Sequence, residues 1–419
     1  MKNSKIKLVI TMLVLGACWS ITYLVPFIQY TWYDPFKEFI GGSNMQMGML
    51  LTIYGFGNIW GCSLGGWVAD RFNYKILYCG SVLFNALFAL LFVMNPNFKF
   101  AILMWIGFAF SSLFLNYPAH IKIIRDLTTD ENQGKIFGFN ETSIGVFNII
   151  LSSSMMLAFT KFNEGVGGLK AAIVTNAIIS LALTVLVIIV LDNPKKTGKL
   201  KERTEEKKTN IFKDFKDIGK KPATWLVALS VFAVYSFMTT LTYFTPYFTD
   251  VLGVTVVFSG WVAILRQYGM QIVGAPLGGI ITDRLKSPSK VLLGVYVVGI
   301  AGLFYLLLAK QGVSAAFLIA LTIIMSLAVY VGRGAYYATI TEAGVPRSLT
   351  ASTIGIAAAV GFSPDLFQFA LFGYWLDNLG KKAYTYMFIY QAIVLVVGAF
   401  AAIGILKLHK KHVAKNSEE

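Results

Sequence analysis

The chain has 419 residues, 56% hydrophobic and 14% charged, with a mean hydropathy of +0.65. A soluble protein of this size carries about a quarter charged residues, so the composition excludes a water-soluble globular domain and indicates an integral membrane protein. The net charge of +15 reads as membrane topology, because Lys and Arg collect on the cytoplasmic side, and no nucleic-acid partner is inferred from it.

In chain order, "MKNSKIKLVI" is basic and then apolar, and the apolar stretch runs past Tyr23 without a small-residue cleavage site, so it reads as a retained first helix. Twelve apolar windows approach the length of about twenty residues that crosses a bilayer: 7–30, 46–69, 76–94, 100–123, 137–160, 169–191, 223–249, 257–282, 290–308, 314–340, 350–376 and 383–406. With the N-terminus inside, 27 of the 36 Lys and Arg residues fall in cytoplasmic segments and seven in outer loops, while Arg266 and Arg333 lie within spans. Both termini are therefore expected in the cytoplasm. Cys18, Cys62 and Cys79 form no C-x-x-C pair and no disulfide framework. The polar stretch Leu191–Pro222 reads as a cytoplasmic linker, with "NIFKDFKDI" as a short surface helix. The organisation expected is an N-terminal six-helix bundle over 1–191, a basic linker over 192–222, a C-terminal six-helix bundle over 223–408 and a tail over 409–419.

The halves repeat each other. "GCSLGGWVADR" at 61–71 and "GAPLGGIITDR" at 274–284 share six of eleven positions, 213 residues apart. "TYLVPF" at 22–27 matches "TYFTPY" at 242–247 in the first span of each half. Glycines 61 and 65, like 274 and 278, lie four apart on one helical face, a spacing that lets helices approach closely in lipid. In transporters such repeats place a site at the interface between the halves, with rocking of one against the other giving alternating access.

The twelve spans, the central basic loop and the segment Gly66-x-x-x-Asp70-Arg71-x-Asn73-Tyr74-Lys75 resemble the major facilitator superfamily over the whole chain, in an organic-anion-like branch. The family's loop pattern, G-x-x-x-D-R-x-G-R-K, has Asn73-Tyr74 in place of Gly-Arg here, and the second copy keeps Gly279-x-x-x-Asp283-Arg284. The resemblance implies an all-α fold of two pseudo-symmetric six-helix bundles and alternating access. It also implies a gate in which Asp70, beside Arg71, reaches the start of span eleven near Ser348 and pairs with Arg125. Asp283, beside Arg284, would do likewise toward span five. A static loop anchor is the alternative.

Charged side chains within a span are functional candidates by default. Arg266, Arg333 and Asp365 stand out, and by depth Arg266 matches Asp365 better than Arg333 does. One arginine can be a structural partner of Asp365, but a single mid-span carboxylate cannot neutralise both. The remaining positive charge favours an anionic substrate, since the Arg fork gives carboxylate or phosphate two parallel hydrogen bonds. Shifted by 217, Arg333 falls on Asn116 and Asp365 on Asn148, so a neutral polar wall answers a charged one. Tyr23 and Tyr243, placed symmetrically near Pro26 and Pro246, and Tyr336 complete the candidate substrate site. Asp365 and Glu141 are the candidates to carry a coupling proton, although Glu141 also reads as an interfacial cap. The histidines (His120, His409, His412), placed at cytoplasmic ends or in the tail, are assigned no relay role.

No metal-ligand spacing, nucleotide loop or nucleophile constellation is present, so no cofactor and no enzymatic activity are inferred. The expected protein is a monomeric secondary transporter in a cell (inner) membrane. It moves a small organic anion (carboxylate, sugar acid or sugar phosphate) by proton symport or anion exchange. A neutral sugar or amphiphilic drug carrier with structural arginines, or a transporter-like sensor, are the alternatives.

Overall fold

The computed structural model describes residues 2–127, 133–192, 219–308, 313–346 and 350–418, apart from the side chains at 2–5, 58–60, 62, 63, 66, 70, 133–135, 137, 351, 352 and 412–418. The linker and its surface helix therefore fall almost wholly outside the described residues. All regular structure among the described residues is helical.

Twelve helices follow the twelve apolar windows: α1 Lys2–Leu24, α2 Asn44–Arg71, α3 Tyr74–Met94, α4 Phe98–Asp126, α5 Gln133–Lys161, α6 Gly165–Val190, α7 Pro222–Asp250, α8 256–285, α9 Pro288–Leu308, α10 Ala315–Glu342, α11 350–379 and α12 Ala383–Glu418. Nine stretches among the described residues are long and apolar enough to cross a membrane, and the longest, Thr353–Lys411, takes in both α11 and α12.

Local chemistry sets several boundaries. The first window ran to Tyr30, but α1 stops at Leu24, before Pro26, which has no N–H to continue the ladder. Ser43 opens α2 with a capping box: its hydroxyl accepts from the Gln46 N–H at 3.2 Å, and its own N–H donates to Gln46 Oε1 at 3.0 Å. Asn73, one of the two residues that depart from the family's loop pattern, caps α3 by accepting from the Lys75 N–H at 3.0 Å. Lys75 then donates to the last carbonyls of α6, at 2.7 Å to Ile188 and 2.6 Å to Leu191, where a cation offsets the helix dipole.

The chain separates into two units, 1–202 with 254–264 and 203–253 with 265–419. In each, a glycine face seats one helix on another. A Cβ built on Gly61 would come 3.1 Å from Leu113 Cβ, and one on Gly65 would fall inside contact distance of the Phe114 carbonyl oxygen, both on α4. On α8, Gly274 would place a Cβ 2.6 Å from Tyr330 Cβ, and Gly278 would strike the Val331 carbonyl oxygen, both on α10. The repeated segment is thus written twice because each unit needs the same close helix pair. Buried amides and hydroxyls tie each unit further. Asn85 and Asn176 both donate to the Ile21 carbonyl, at 3.4 and 3.0 Å. In the second unit, Gln368 Nε2 donates to the Ser236 carbonyl at 3.0 Å and to Thr240 Oγ1 at 2.9 Å.

The loop between α8 and α9 has its own brace. Glu342, 7% exposed at the end of α10, accepts from the Ser287 hydroxyl and, at 2.8 Å, from the Ser289 N–H, which are orphan donors at the start of α9. Glu342→Ala is expected to cost about 1–3 kcal/mol, the price of leaving buried donors unsatisfied. Glu342→Gln should recover part of it, because an amide oxygen still accepts. Thermal unfolding of the two variants checks this, and equal midpoints would assign Glu342 no bracing role.

Candidate functional site

Helix α8 is interrupted by a π-helical turn, Leu265–Gly269, and Arg266 lies on it. Such turns free a carbonyl and swing a side chain out of register, and they recur at functional sites. Here the freed Arg266 carbonyl accepts from the Ser326 hydroxyl of α10 at 2.6 Å. The guanidinium is 1% exposed. It lies 5.9 Å from the Phe244 ring centroid and 5.7 Å from that of Phe248, within cation–π range. Its Nη2 donates to Thr245 Oγ1 at 3.0 Å, while Nε and Nη1 have no hydrogen-bond partner among the described residues. The repeated segment "TYFTPY" supplies both Thr245 and Phe244. No carboxylate among the described residues forms an ion pair with Arg266.

Asp365 is 8% exposed and accepts from the Tyr235 hydroxyl at 2.7 Å. That hydroxyl is within electrostatic range of Arg333 and Tyr336. Asp365 is thus held by Tyr235 and Arg266 by Thr245, and no ion pair joins Arg266 to Asp365. Counting 1.5 Å per residue assumes straight helices, and both the π turn in α8 and the break in α11 between Gly361 and Pro364 upset that count. Arg333 is half-buried, with Nη1 3.3 Å from Met238 Sδ and its guanidinium 5.8 Å from the Tyr330 ring centroid.

The remaining candidates divide. Tyr243 is buried, and its hydroxyl donates to the Phe369 carbonyl at 2.9 Å, so it braces α7 on α11. Tyr336 is 5% exposed and packs edge-on against Tyr337. In the first unit, α4 carries a second π turn, Phe110–Asn116. Asn116 ends it, fully buried, donating to Ser81 Oγ at 2.9 Å while its Oδ1 has no partner among the described residues. Tyr23 is half-buried beside this turn and donates to the Ser112 carbonyl at 3.4 Å. Glu141 is exposed on α5.

Of the gate residues, the Asp70 side chain and Ser348 lie outside the described residues. Arg71 is exposed, with its guanidinium 4.0 Å from the Trp67 ring centroid. Arg125, Asp283 and Arg284 are exposed. His120, near the end of α4, is fully buried, with the Tyr78 hydroxyl 3.0 Å from Nδ1 and the Trp19 ring at 4.6 Å. Trp19 on α1 and Tyr78 on α3 come from separate helices, so no spacing in the sequence signalled the cluster.

A helical membrane protein with polar and charged groups gathered on interrupted helices is a solute transporter in outline. The family model of the major facilitator superfamily matches residues 8–365, and the chain belongs to that superfamily of membrane transporters. It is 28% identical over 399 residues to the inner membrane protein YihN of Escherichia coli K12, covering 94% of each chain. With the inner membrane protein YqcE of the same organism it shares 27% over 395 residues, covering 93% of this chain and 92% of that one. Among solved structures, the nucleoside transporter NupG superposes with a TM-score of 0.71 at 14% identity, covering 97% of this chain and 99% of that one. A bacterial homologue of the human lysosomal transporter Spinster, inward-facing and occupied, gives 0.68 at 15%, covering 96% and 97%. At these identities the two structures establish the fold alone.

Proposed function

We propose that the protein carries a small organic anion (a carboxylate, sugar acid or sugar phosphate) by alternating access, through proton symport or anion exchange. The observation that supports this reading is Arg266, a buried guanidinium with two uncommitted N–H directions and a π turn to hold it. A buried charge left without a counter-ion is costly, and a carboxylate or phosphate oxygen pair is the ligand that offsets that cost by bidentate bonding. Arg333 adds a second positive charge, and Asp365 on Tyr235 is the candidate proton carrier. Asp70, Arg71 and Arg125, with Asp283 and Arg284, form the proposed cytoplasmic gate. The protein acts as a monomer in the inner membrane, the location that the names of both Escherichia coli relatives carry, with its termini in the cytoplasm.

The test is thermal stabilisation of purified protein by matched pairs of solutes, such as gluconate against sorbitol, in wild type and in Arg266→Ala. A ligand that binds only the folded state raises stability by RT ln(1 + [L]/Kd). The expected result is stabilisation by the anions alone, lost in the variant. Equal stabilisation of both proteins by neutral solutes would make Arg266 structural and overturn the anion reading.

A further inference from the structure

A groove with one charged end runs between three helices of the second unit. Helices α8, α9 and α10 leave an open cleft of about 360 Å³, within the size range of ligand sites. Leu285 on α8, Gly294 and Val298 on α9, and Ile324 and Ala328 on α10 line it, and its one polar side chain among the described residues is Lys290. Leu285, Val298 and Ile324 are exposed. A cleft so apolar, beside helices long and apolar enough to cross a membrane, opens to hydrocarbon rather than to water.

A glycine keeps the groove open. Lys290, Gly294 and Val298 follow one another at four-residue spacing and share one face of α9, a run of about 12 Å. A Cβ built on Gly294 would meet nothing within 4 Å, so no close helix contact demands glycine there, unlike at Gly274 and Gly278. Glycine inside a helix is unfavourable relative to alanine. What the missing side chain provides at Gly294 is room.

The charged end is basic. Residues 283–290 hold Arg284, Lys286 and Lys290 against Asp283, all of them exposed, and none of the three cations forms an ion pair among the described residues. Glu342, a further acid at this end, is buried and committed to Ser287 and Ser289. Lys286 has a left-handed backbone, with φ 49°, the conformation that helix ends usually give to glycine. A cation thus stands where glycine would fit without strain.

We propose that this groove binds an anionic phospholipid, with an acyl chain between α8, α9 and α10 and the headgroup phosphate on Lys290. A zwitterionic lipid fits the same walls but brings its own cation toward a basic cluster. Basic pockets between membrane helices select anionic headgroups for this reason. The lipid site is independent of the anion reading of Arg266. Its occupant nevertheless braces α8 and α10, the helices that carry Arg266 and Arg333.

The experiment follows the thermal midpoint of the purified full chain in detergent as phosphatidylglycerol or phosphatidylcholine with the same acyl chains is added. Glycerol phosphate serves as a headgroup without chains. A lipid that binds the folded protein raises the midpoint with its concentration. Phosphatidylglycerol is expected to act on wild type at lower concentration than phosphatidylcholine, and glycerol phosphate to have no effect. Lys290→Ala should weaken phosphatidylglycerol by about fivefold and leave phosphatidylcholine unchanged. Gly294→Leu fills open space, so its lipid-free midpoint should match or exceed that of wild type while the preference for phosphatidylglycerol is lost. Lys381→Ala, in the loop between α11 and α12, should behave as wild type. Equal responses of wild type to the two lipids, or an undiminished preference in Gly294→Leu, would overturn the groove. Glycerol phosphate acting as well as the lipid, or Lys381→Ala losing as much as Lys290→Ala, would reduce the effect to surface charge and overturn it as well.

Discussion

Replacing Arg266 with methionine is expected to raise the thermal midpoint of the ligand-free protein while abolishing its response to organic anions. The two effects have one cause. Arg266 is sealed from solvent with a single hydrogen bond to a neutral hydroxyl and no ion-pair partner among the described residues. Replacing even a paired buried charge, together with its partner, by apolar side chains of similar volume is neutral or stabilises by about 1–4 kcal/mol, and Arg266 has no such partner among the described residues to lose. Methionine keeps the length that fills the space beside Phe244 and Phe248, so little cavity cost offsets the gain. A structural ion-pair residue behaves in the opposite way, because cutting one partner destabilises by about 3–5 kcal/mol. The sign of the midpoint change in ligand-free protein therefore separates a binding arginine from a bracing one, before any substrate is known. Arg266→Lys adds a finer control. It keeps the charge but loses the planar fork, so anion binding should weaken without the stability gain. A lower midpoint for Arg266→Met would remove the basis of the proposed site.

The largest stability loss is expected at Gly278, with an internal control one residue away. A Cβ at Gly278 would collide with the Val331 carbonyl oxygen on α10, and backbone cannot swing aside as a side chain can. Gly278→Leu forces α8 and α10 apart along this close helix pair, a cost at or above the upper end of the about 1–3 kcal/mol typical of overpacked cores. Gly279, the next residue, has nothing within 4 Å of a built Cβ. Gly279→Ala should be neutral or stabilising by up to about 1 kcal/mol, the helix-propensity difference. Yield of monodisperse protein after extraction and the thermal midpoint both report on this pair. Comparable behaviour of the two variants would show that the seam tolerates a side chain. Gly65, whose Cβ would meet the Phe114 carbonyl oxygen, should repeat the Gly278 result in the first unit.

Much of the architecture was legible in the amino-acid order because the bilayer imposes it. Runs of apolar residues long enough to cross have to be helices, since backbone groups in lipid must bond within the segment. Twelve windows accordingly became twelve helices. The glycine repeat was equally legible, because small residues four apart mark a close helix face wherever they occur. Helix ends were less legible: the first window ran to Tyr30 although the helix stops at Leu24 before Pro26, and the Ser43-x-x-Gln46 cap entered no sequence expectation.

The site was legible only as a set of residue types. Arg266, Arg333 and Asp365 announce themselves by charge in apolar surroundings, but their partners were not in the pattern. The depth argument compared the arginines along straight helices and could not name their partners, Thr245 for Arg266 and Tyr235 for Asp365. Two π turns, and the break in α11 before Pro364, shift register by amounts that no local spacing encodes. Thr245, Phe244 and Phe248 around Arg266, Tyr235 on Asp365, and the ring cluster of Trp19, Tyr117, His120 and Tyr78 each join residues from different helices. Sequence by itself determined the class, the span count and the repeated seam, all of which follow from segment-by-segment transfer out of water. Tertiary structure alone decided which buried polar groups were satisfied and which were left open, because hydrogen bonds between helices depend on how far each helix has rotated, and packing sets that rotation.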